Sequence, residues 1–415
     1  MLRLSCFFVA LSAGSTVAED WPGWRGPRRD GTADKADYPT KWTAKDGIKW
    51  KRAIPGVGHS SPVIVAGKVF LTTCLENEGD DKSAKPRMLL CYDRVTGEQL
   101  WAKECLAAPL EGKHKLNSHA SSTPVSDGAR IYVPFAEGKD LRVFCYDLSG
   151  KKIWDATPGE FHSVHGFCSS PMLYKDLLIV NGDQDPKKDG KAYLVAFDKL
   201  TGREKWRVDR SNRLRSYCPP VLIEVDGKPQ MVLTGSKSVC SFDPETGAPI
   251  WNVKGPTEQF VSSVVFHRGT VFLTAGFPEH WLMAIDPTGA GDVTKTKVLW
   301  SKKGDGGYVP SPVAHDGKAF VVADDGIFSC WDLKMGGAPF FHERLGGHQS
   351  GSPVVASGRI YFTDDTGLTY VVEAGEKLKV LSKNPIGEKC FSSPAFSDGD
   401  IFIRGEKSLF CIGGK

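Results

Sequence analysis

The amino-acid sequence predicts an all-β fold, an eight-bladed β-propeller of four-stranded antiparallel blades. Three observations lead to this prediction. A short phrase returns eight times, a second phrase ending on tryptophan follows most copies, and the final repeat is too short to form a blade by itself. All three concern a repeated unit, and repeats of about 40–50 residues are typical of propeller blades.

The first phrase joins two small residues to a proline, as in Ser-Ser-Pro-Val at 60–63. Its copies lie about 40–60 residues apart, at 60–63, 122–125, 169–172, 218–221, 262–265, 310–313, 351–354 and 392–395. Each copy leads into an apolar run, a turn and a second apolar run, as in 63–71, and seven of the eight turns contain a glycine. Because glycine supplies the positive φ that a tight hairpin needs, each copy should open an antiparallel strand pair.

The second phrase places an aspartate before a glycine turn and a tryptophan after it. An aspartate can accept hydrogen bonds from turn amides, and a tryptophan gives the outer strand a large apolar surface to pack on a neighbouring blade. Since one blade cannot bury both faces of its sheet, blades should stack in a ring. The residues assigned to this docking role are Asp93, Trp101, Asp147, Trp154, Asp198, Trp206, Asp243, Trp251, Asp286 and Trp300.

The best copy of the second phrase, at 196–206, reads Ala-x-Asp-x-x-x-Gly-x-x-x-Trp. This repeat resembles that of the quinoprotein alcohol-dehydrogenase-like family, which forms PQQ-like β-propellers, and residues 21–27 resemble the entry segment of its secreted members. The resemblance implies a quinone (PQQ) stacked between a tryptophan and a bridged pair of adjacent cysteines, with a metal held by carboxylates and an asparagine. The chain has no adjacent cysteine pair, so no cofactor is expected, although PQQ or a divalent metal stays open.

The two ends of the chain predict ring closure and export. Residues 1–18 combine a basic start, a short apolar run and a small-x-Ala ending, which predicts a signal peptide cleaved near Ala18. The mature protein should therefore be exported, either periplasmic or secreted. Residues 19–46 are expected to wrap the outside, and 47–415 to form one propeller domain. The last repeat lacks an outer strand, which the segment at 47–52 is expected to supply.

Composition narrows the classes of partner. The formal charge of +4 is small for 415 residues, and basic and acidic residues alternate, so no nucleic-acid partner is expected. After the first residues, no apolar stretch is long enough for a membrane span. A monomer is expected. Four cysteines share one repeat position and should be free and buried, namely Cys91, Cys145, Cys330 and Cys411.

Functional residues are expected in the loops before the inner strands, because these loops share one face of a propeller. The predicted lining of this channel mouth is His59, His119, His165, Arg213, Arg215, Tyr308, His348 and Cys390. The arginines would suit an anionic group. Of these residues, His59, His119 and His165 are candidate ligands of a metal such as zinc or copper. The alternative that all of them simply line a polar channel stays open.

Two functions are compatible with these observations. The first is an exported, non-catalytic binding or scaffold module, which binds a protein or a small molecule at the channel face. The alternative is a quinone- or metal-dependent oxidoreductase with its site at the channel mouth. Fold alone does not decide between them.

Overall fold

The computed structural model describes residues 19–33, 37–76, 83–184, 192–210, 216–235 and 237–414. The predicted signal peptide and both Arg213 and Arg215 lie outside these ranges. Within them, strands form eight separate sheets, one for each copy of the repeated phrase. The predicted eight-bladed, all-β propeller is confirmed.

The first strand of the chain, β1 (Ile48–Ala53), belongs to the last blade. Blade 1 contains β2 (Val63–Val65), β3 (Lys68–Cys74), β4 (Lys85–Asp93) and β5 (Gln99–Ala108); blade 2 contains β6 (Val125–Ser126), β7 (Arg130–Glu137), β8 (Asp140–Asp147) and β9 (Lys152–Glu160). Blade 3 contains β10 (Met172–Tyr174), β11 (Leu177–Asn181), β12 (Ala192–Asp198) and β13 (Glu204–Arg210); blade 4 contains β14 (Val221–Val225), β15 (Lys228–Gly235), β16 (Ser238–Phe242) and β17 (Pro249–Lys254).

Blade 5 contains β18 (Val265–His267), β19 (Thr270–Ala275), β20 (Trp281–Ile285) and β22 (Val298–Lys303), while the short β21 (Gly291–Asp292) pairs in parallel with the outer strand of blade 4. Blade 6 contains β23 (Val313–His315), β24 (Lys318–Val322), β25 (Ile327–Asp332) and β26 (Gly336–Arg344). Blade 7 contains β27 (Val354–Ala356), β28 (Arg359–Thr363), β29 (Leu368–Glu373) and β30 (Val380–Pro385); blade 8 contains β31 (Ala395–Ser397), β32 (Asp400–Arg404) and β33 (Ser408–Ile412), followed in space by β1.

Ring closure follows the prediction from the chain ends. Strand β1 pairs antiparallel with β33, so that Trp50 lies opposite Cys411 and Ala53 opposite Ser408. The last blade therefore obtains its outer strand from the N-terminal side of the chain. This pairing covers an edge of β33 that would otherwise offer unpaired backbone groups.

The second repeated phrase, with its aspartate, glycine turn and tryptophan, forms a contact between successive blades. In blade 3, Asp198 Oδ1 accepts hydrogen bonds from the amides of Leu200 and Thr201, both at 3.0 Å, and so holds the turn. Trp154 of blade 2 packs on the glycine of that turn, Gly202, and its Nε1 donates to the carbonyl of Lys199 at 3.1 Å. Because glycine has no side chain, the indole can lie directly on the backbone.

The same indole-on-glycine contact recurs, in the pairs Trp50–Gly97, Trp101–Gly150, Trp206–Gly247 and Trp300–Gly336. Trp50 was not among the predicted docking residues. Trp251 departs from the pattern, because its Nε1 donates to Gln230 of its own blade at 2.8 Å and its strand pairs with β21 instead.

The repeated phrase itself joins neighbouring blades around the axis. At six of the eight junctions, the amide of its second residue donates to the hydroxyl of the equivalent residue on the next blade, at 2.9–3.1 Å: Ser61 to Thr123, Thr123 to Ser170, Ser263 to Ser311, Ser311 to Ser352, Ser352 to Ser393, and Ser393 to Ser61. Blade 4 interrupts this ring, because Pro219 has neither an amide hydrogen nor a hydroxyl group.

Residues 21–33 lie across the channel axis, whereas an outer wrap was expected for all of 19–46. They bind the free edges of inner strands on several sides of the ring: Trp21 to Ile64 in blade 1 (2.8 and 2.9 Å), Arg29 to the Leu173 carbonyl in blade 3 (2.9 Å), and Ala33 to the Val355 carbonyl in blade 7 (2.9 Å). Inner strands leave backbone groups unpaired on the axial side, and this segment pairs with them. We call it the axial plug.

Residues 37–46 lead from the inner strand of blade 8, where the ring of Tyr38 packs on Phe396, to the outer strand of blade 7. The amide of Trp42 donates to the side chain of Asn384 in the outer strand of blade 7 at 3.1 Å, and Asn384 Nδ2 donates to the Thr40 carbonyl at 3.0 Å. The structure also confirms that Cys91, Cys145, Cys330 and Cys411 are free and buried.

Candidate functional site

One cavity of about 320 Å³ opens where the loops before the inner strands converge. Every blade contributes to its lining, through His59, Ser121, His165, Tyr217, Val261, Tyr308, His348 and Phe391. We call this space the mouth cavity. Beneath it lies a space of about 100 Å³ lined by the serines of the ring and by Trp24 of the axial plug, so the plug forms the floor.

His59 is an uncharged imidazole in the wall of the mouth cavity. Its ring lies 4.7 Å from the ring of Phe391, at an angle of 34°. Burial lowers the pKa of His59 to about 3, and repulsion from Arg404 and Lys113 acts in the same direction. At neutral pH this side chain can therefore donate one hydrogen bond and accept another, but it carries no charge.

A second group of polar side chains lines the wall formed by blades 3 and 4. The hydroxyl of Tyr217 lies 2.9 Å from His165 Nδ1 and 3.1 Å from the hydroxyl of Ser163. His114, from the loop before blade 2, lies beside His165, with 5.5 Å between the ring centroids. This wall combines aromatic faces with hydrogen-bonding groups.

The opposite side of the mouth cavity carries one carboxylate, that of Asp324. Asp324 accepts hydrogen bonds from the amides of Tyr308 and Val309, at 2.5 and 3.0 Å. Burial raises its pKa despite these two amides. In blade 7, Asp365 Oδ2 lies 2.7 Å from His348 Nδ1, and the side chain of His348 is 48% exposed at the rim.

The structure places four of the eight predicted lining residues in the mouth cavity: His59, His165, Tyr308 and His348. His119 is not part of the lining, because its ring contacts Glu76 and the carbonyl of Glu111 instead. The proposed metal set of His59, His119 and His165 is thus not brought together. Cys390 is buried in the core, where its Sγ lies 3.3 Å from the Arg404 carbonyl.

Sequence reasoning missed several lining residues. Asp324 of the lining, and Asp365, which contacts the lining residue His348, lie in hairpins between second and third strands, which share the mouth face. Each belongs to an aspartate pair before a glycine turn. This repeated aspartate pair is the sequence feature from which the two residues could have been predicted. His114 and Asn117 lie farther from the repeated phrase, and nothing in the sequence pattern distinguishes them from other polar loop residues.

The repeats and the observed fold together define the chain as a PQQ-like propeller of the quinoprotein alcohol-dehydrogenase-like type. The profile of the family described as outer membrane protein assembly factor BamB matches residues 33–157 and 85–340. The chain belongs to that family. No curated protein is significantly similar in sequence.

Several solved structures share the fold at low sequence identity. Quinohemoprotein alcohol dehydrogenase from Comamonas testosteroni is 12% identical with a TM-score of 0.67, and the match covers 96% of this chain and 81% of that one. BamB from Moraxella catarrhalis is 11% identical with a TM-score of 0.57, covering 88% and 98%. ADHIIG, a quinohemoprotein alcohol dehydrogenase from Pseudomonas putida HK5, is 10% identical with a TM-score of 0.63, covering 96% and 81%.

The described residues of the mouth cavity do not fit a PQQ cofactor. PQQ is a planar polycarboxylate, which needs cationic partners for its acid groups. The described lining contains neither lysine nor arginine that could pair with these groups. Cys168 is a single free thiol in the lining, and the chain has no adjacent cysteine pair.

Proposed function

We propose that this protein is an exported, non-catalytic binding module that takes a small, uncharged, hydroxyl-bearing ligand, such as a sugar residue, in the mouth cavity. The observation that carries the proposal is the convergence of all eight blades on one cavity closed at its floor by Trp24. Concave sites with aromatic walls and a few polar groups are the usual form of small-molecule sites.

The lining supports this ligand class through shape and charge. The rings of Phe391, Tyr217 and Tyr308 offer apolar faces, while Asn117 and the uncharged His59 offer both donors and acceptors. Asp324 provides a strong acceptor for a hydroxyl group. With one carboxylate and neither lysine nor arginine among the described lining residues, an anionic ligand would be disfavoured.

Export is part of the same proposal and rests on the sequence of residues 1–18 and on the family match. No helix in the described residues is long and apolar enough to cross a membrane. A sugar or a glycosylated partner at the envelope would be accessible to such a protein.

Saturation-transfer NMR with a panel of neutral mono- and disaccharides tests the proposal. Signals from at least one sugar are expected with the mature protein and should be lost in Phe391→Ala, which removes an aromatic wall. Phe340→Ala is the matched control, since Phe340 is an exposed phenylalanine in the outer strand β26, outside the cavity, and it should keep the signal. The proposal would be contradicted if no sugar of the panel gave a signal, or if the wild type and the two variants gave equal signals.

The absorption spectrum of the purified protein tests the oxidoreductase alternative. A stoichiometric bound quinone, together with alcohol oxidation that depends on it, would overturn the non-catalytic interpretation. A spectrum of aromatic residues alone is the expected result.

A further inference from the structure

A cluster outside the mouth cavity combines a thiol, a carboxylate and an imidazole. Cys74 ends strand β3, Glu76 follows two residues later, and His119 lies in the loop that leads to β6. One ligand atom from each, namely the Cys74 Sγ, a carboxylate oxygen and a ring nitrogen, lies within 4.8 Å of the other two. The cluster therefore spans the junction between blades 1 and 2.

The backbone and the surrounding carbonyls orient this cluster. The Cys74 amide donates to the Val57 carbonyl and the Val57 amide to the Cys74 carbonyl, both at 2.8 Å, which holds the end of β3 in place. His119 Nε2 lies 2.8 Å from the carbonyl of Glu111. Because a carbonyl only accepts hydrogen bonds, Nε2 must carry the hydrogen, and Nδ1 faces the cluster.

The contact at Nδ1 brings two acceptors together. His119 Nδ1 lies 2.7 Å from Glu76 Oε1, and in the tautomer fixed by Glu111 both atoms carry lone pairs. A cation between them is needed to make the arrangement favourable. It can be a second proton on the ring, or a metal ion for which the two atoms separate to about 3.3 Å, the ligand spacing of a tetrahedral site. Cys74 Sγ lies beside this position.

The donor set favours the metal ion. Thiolate, imidazole and carboxylate are the ligands of zinc, and a ligating histidine usually donates its other N–H to a carbonyl or a carboxylate. A divalent ion with one thiolate and one carboxylate is neutral overall, as burial requires. Arg87, a buried cation close to Cys74, is already paired with Glu111 at 2.5 Å.

We propose that Cys74, Glu76 and His119 bind one zinc-class divalent ion that links blade 1 to blade 2. Three protein ligands leave a fourth position, which water would occupy in a tetrahedral site. The side chains of His119 and Glu76 are 5% and 18% exposed, so the ion would be reached past Glu76.

Cobalt(II) substitution tests this site in the full mature protein. After treatment with a chelator, titration with cobalt should reach one equivalent, with a thiolate-to-cobalt charge-transfer band and visible bands of tetrahedral intensity. Zinc should displace the cobalt and raise the melting temperature, since an ion that binds only the folded state stabilises it.

Variants identify the ligands. Cys74→Ser should abolish the charge-transfer band, and His119→Gln should weaken cobalt binding by at least tenfold. Cys91→Ser is the matched control, because Cys91 is an equally buried cysteine in the adjacent strand β4 and should leave the band unchanged. A band that survives in Cys74→Ser, or that disappears in Cys91→Ser alone, would overturn the assignment.

X-ray absorption of the zinc-loaded wild type gives a result that does not depend on the folding of a variant. One sulfur at about 2.3 Å with nitrogen and oxygen neighbours at about 2.0–2.2 Å is expected. A shell without sulfur would exclude Cys74 as a ligand and overturn the proposal. No binding of cobalt or zinc at all would also overturn it and leave a proton between Nδ1 and Oε1.

Discussion

The uncharged imidazole of His59 leads to a prediction about acid stability. Burial lowers its pKa to about 3 in the folded protein, against 6.5 in the unfolded chain. Between these two values the unfolded chain binds a proton at this position and the folded protein does not. Protonation therefore favours the unfolded state, and the contribution of His59 to stability is lost as the pH falls below 6.5.

The size of the effect follows from this interval. Each pH unit between the two pKa values corresponds to about 1.4 kcal/mol of unfolding free energy. Between pH 6.5 and pH 5.0, the titration of His59 should therefore lower the free energy of unfolding by about 2 kcal/mol. This value is an upper limit, because partial opening of the cavity would admit water to the imidazole.

Replacing His59 by glutamine isolates this contribution, since glutamine keeps hydrogen-bonding capacity but does not titrate. Urea unfolding of the wild type and of His59→Gln, followed by circular dichroism at pH 7.5 and pH 5.0, gives the double difference. The variant should lose about 2 kcal/mol less than the wild type over this range. His114→Gln, a change to an exposed imidazole at the same rim, controls for the loss of an imidazole as such.

The reasoning would be refuted if both proteins lost the same stability within about 0.5 kcal/mol. That result would mean that water reaches His59 freely in the folded state. If His114→Gln changed the pH dependence of stability as much as His59→Gln, the effect would belong to the histidines of the rim in general and not to the burial of His59.

Three further predictions concern the fold. In urea unfolding, Trp154→Ala should lower the free energy of unfolding by about 3–5 kcal/mol, because the substitution leaves a cavity on Gly202. The control is Ile153→Ala, a change to the exposed neighbouring residue, which should alter the free energy of unfolding by less than about 0.5 kcal/mol. Deletion of residues 19–53 removes the axial plug and β1, and the resulting protein should show no cooperative melting transition by calorimetry. Ser61→Ala removes the hydroxyl that accepts a hydrogen bond from the Ser393 amide, and should lower the free energy of unfolding by about 1–3 kcal/mol in urea. An unchanged unfolding midpoint would argue that the hydrogen bonds between the repeated phrases do not stabilise the ring of blades.

The blade architecture could be predicted because it depends on local chemistry repeated many times. A turn that needs an aspartate and a glycine, as Asp198 and Gly202 in blade 3, leaves the same signature in most blades, and the incomplete last repeat indicates closure by β1. The axial plug could not be predicted in this way. Residues 21–33 have no strand period of their own, and their position is set by free backbone groups that exist only once the ring is assembled.

The candidate site was only partly predictable for a related reason. Distance from the repeated phrase places a backbone at the channel mouth, as it does for His59, His165 and His348. It does not say where the side chain points. His119 turns towards Glu76, and Cys390 packs in the core, because the polar partner of one and the apolar partners of the other belong to distant parts of the chain.

The axial plug also limits how a ligand can move. With Trp24 at the floor, a molecule bound as proposed would enter and leave the mouth cavity on the side of the rim, as far as the described residues define its walls. A polymer therefore cannot thread through the ring, and only a chain end or a side branch can be accommodated. Residence time would then depend on the rim, where His348 and Leu116 are exposed, and not on the depth of the pore.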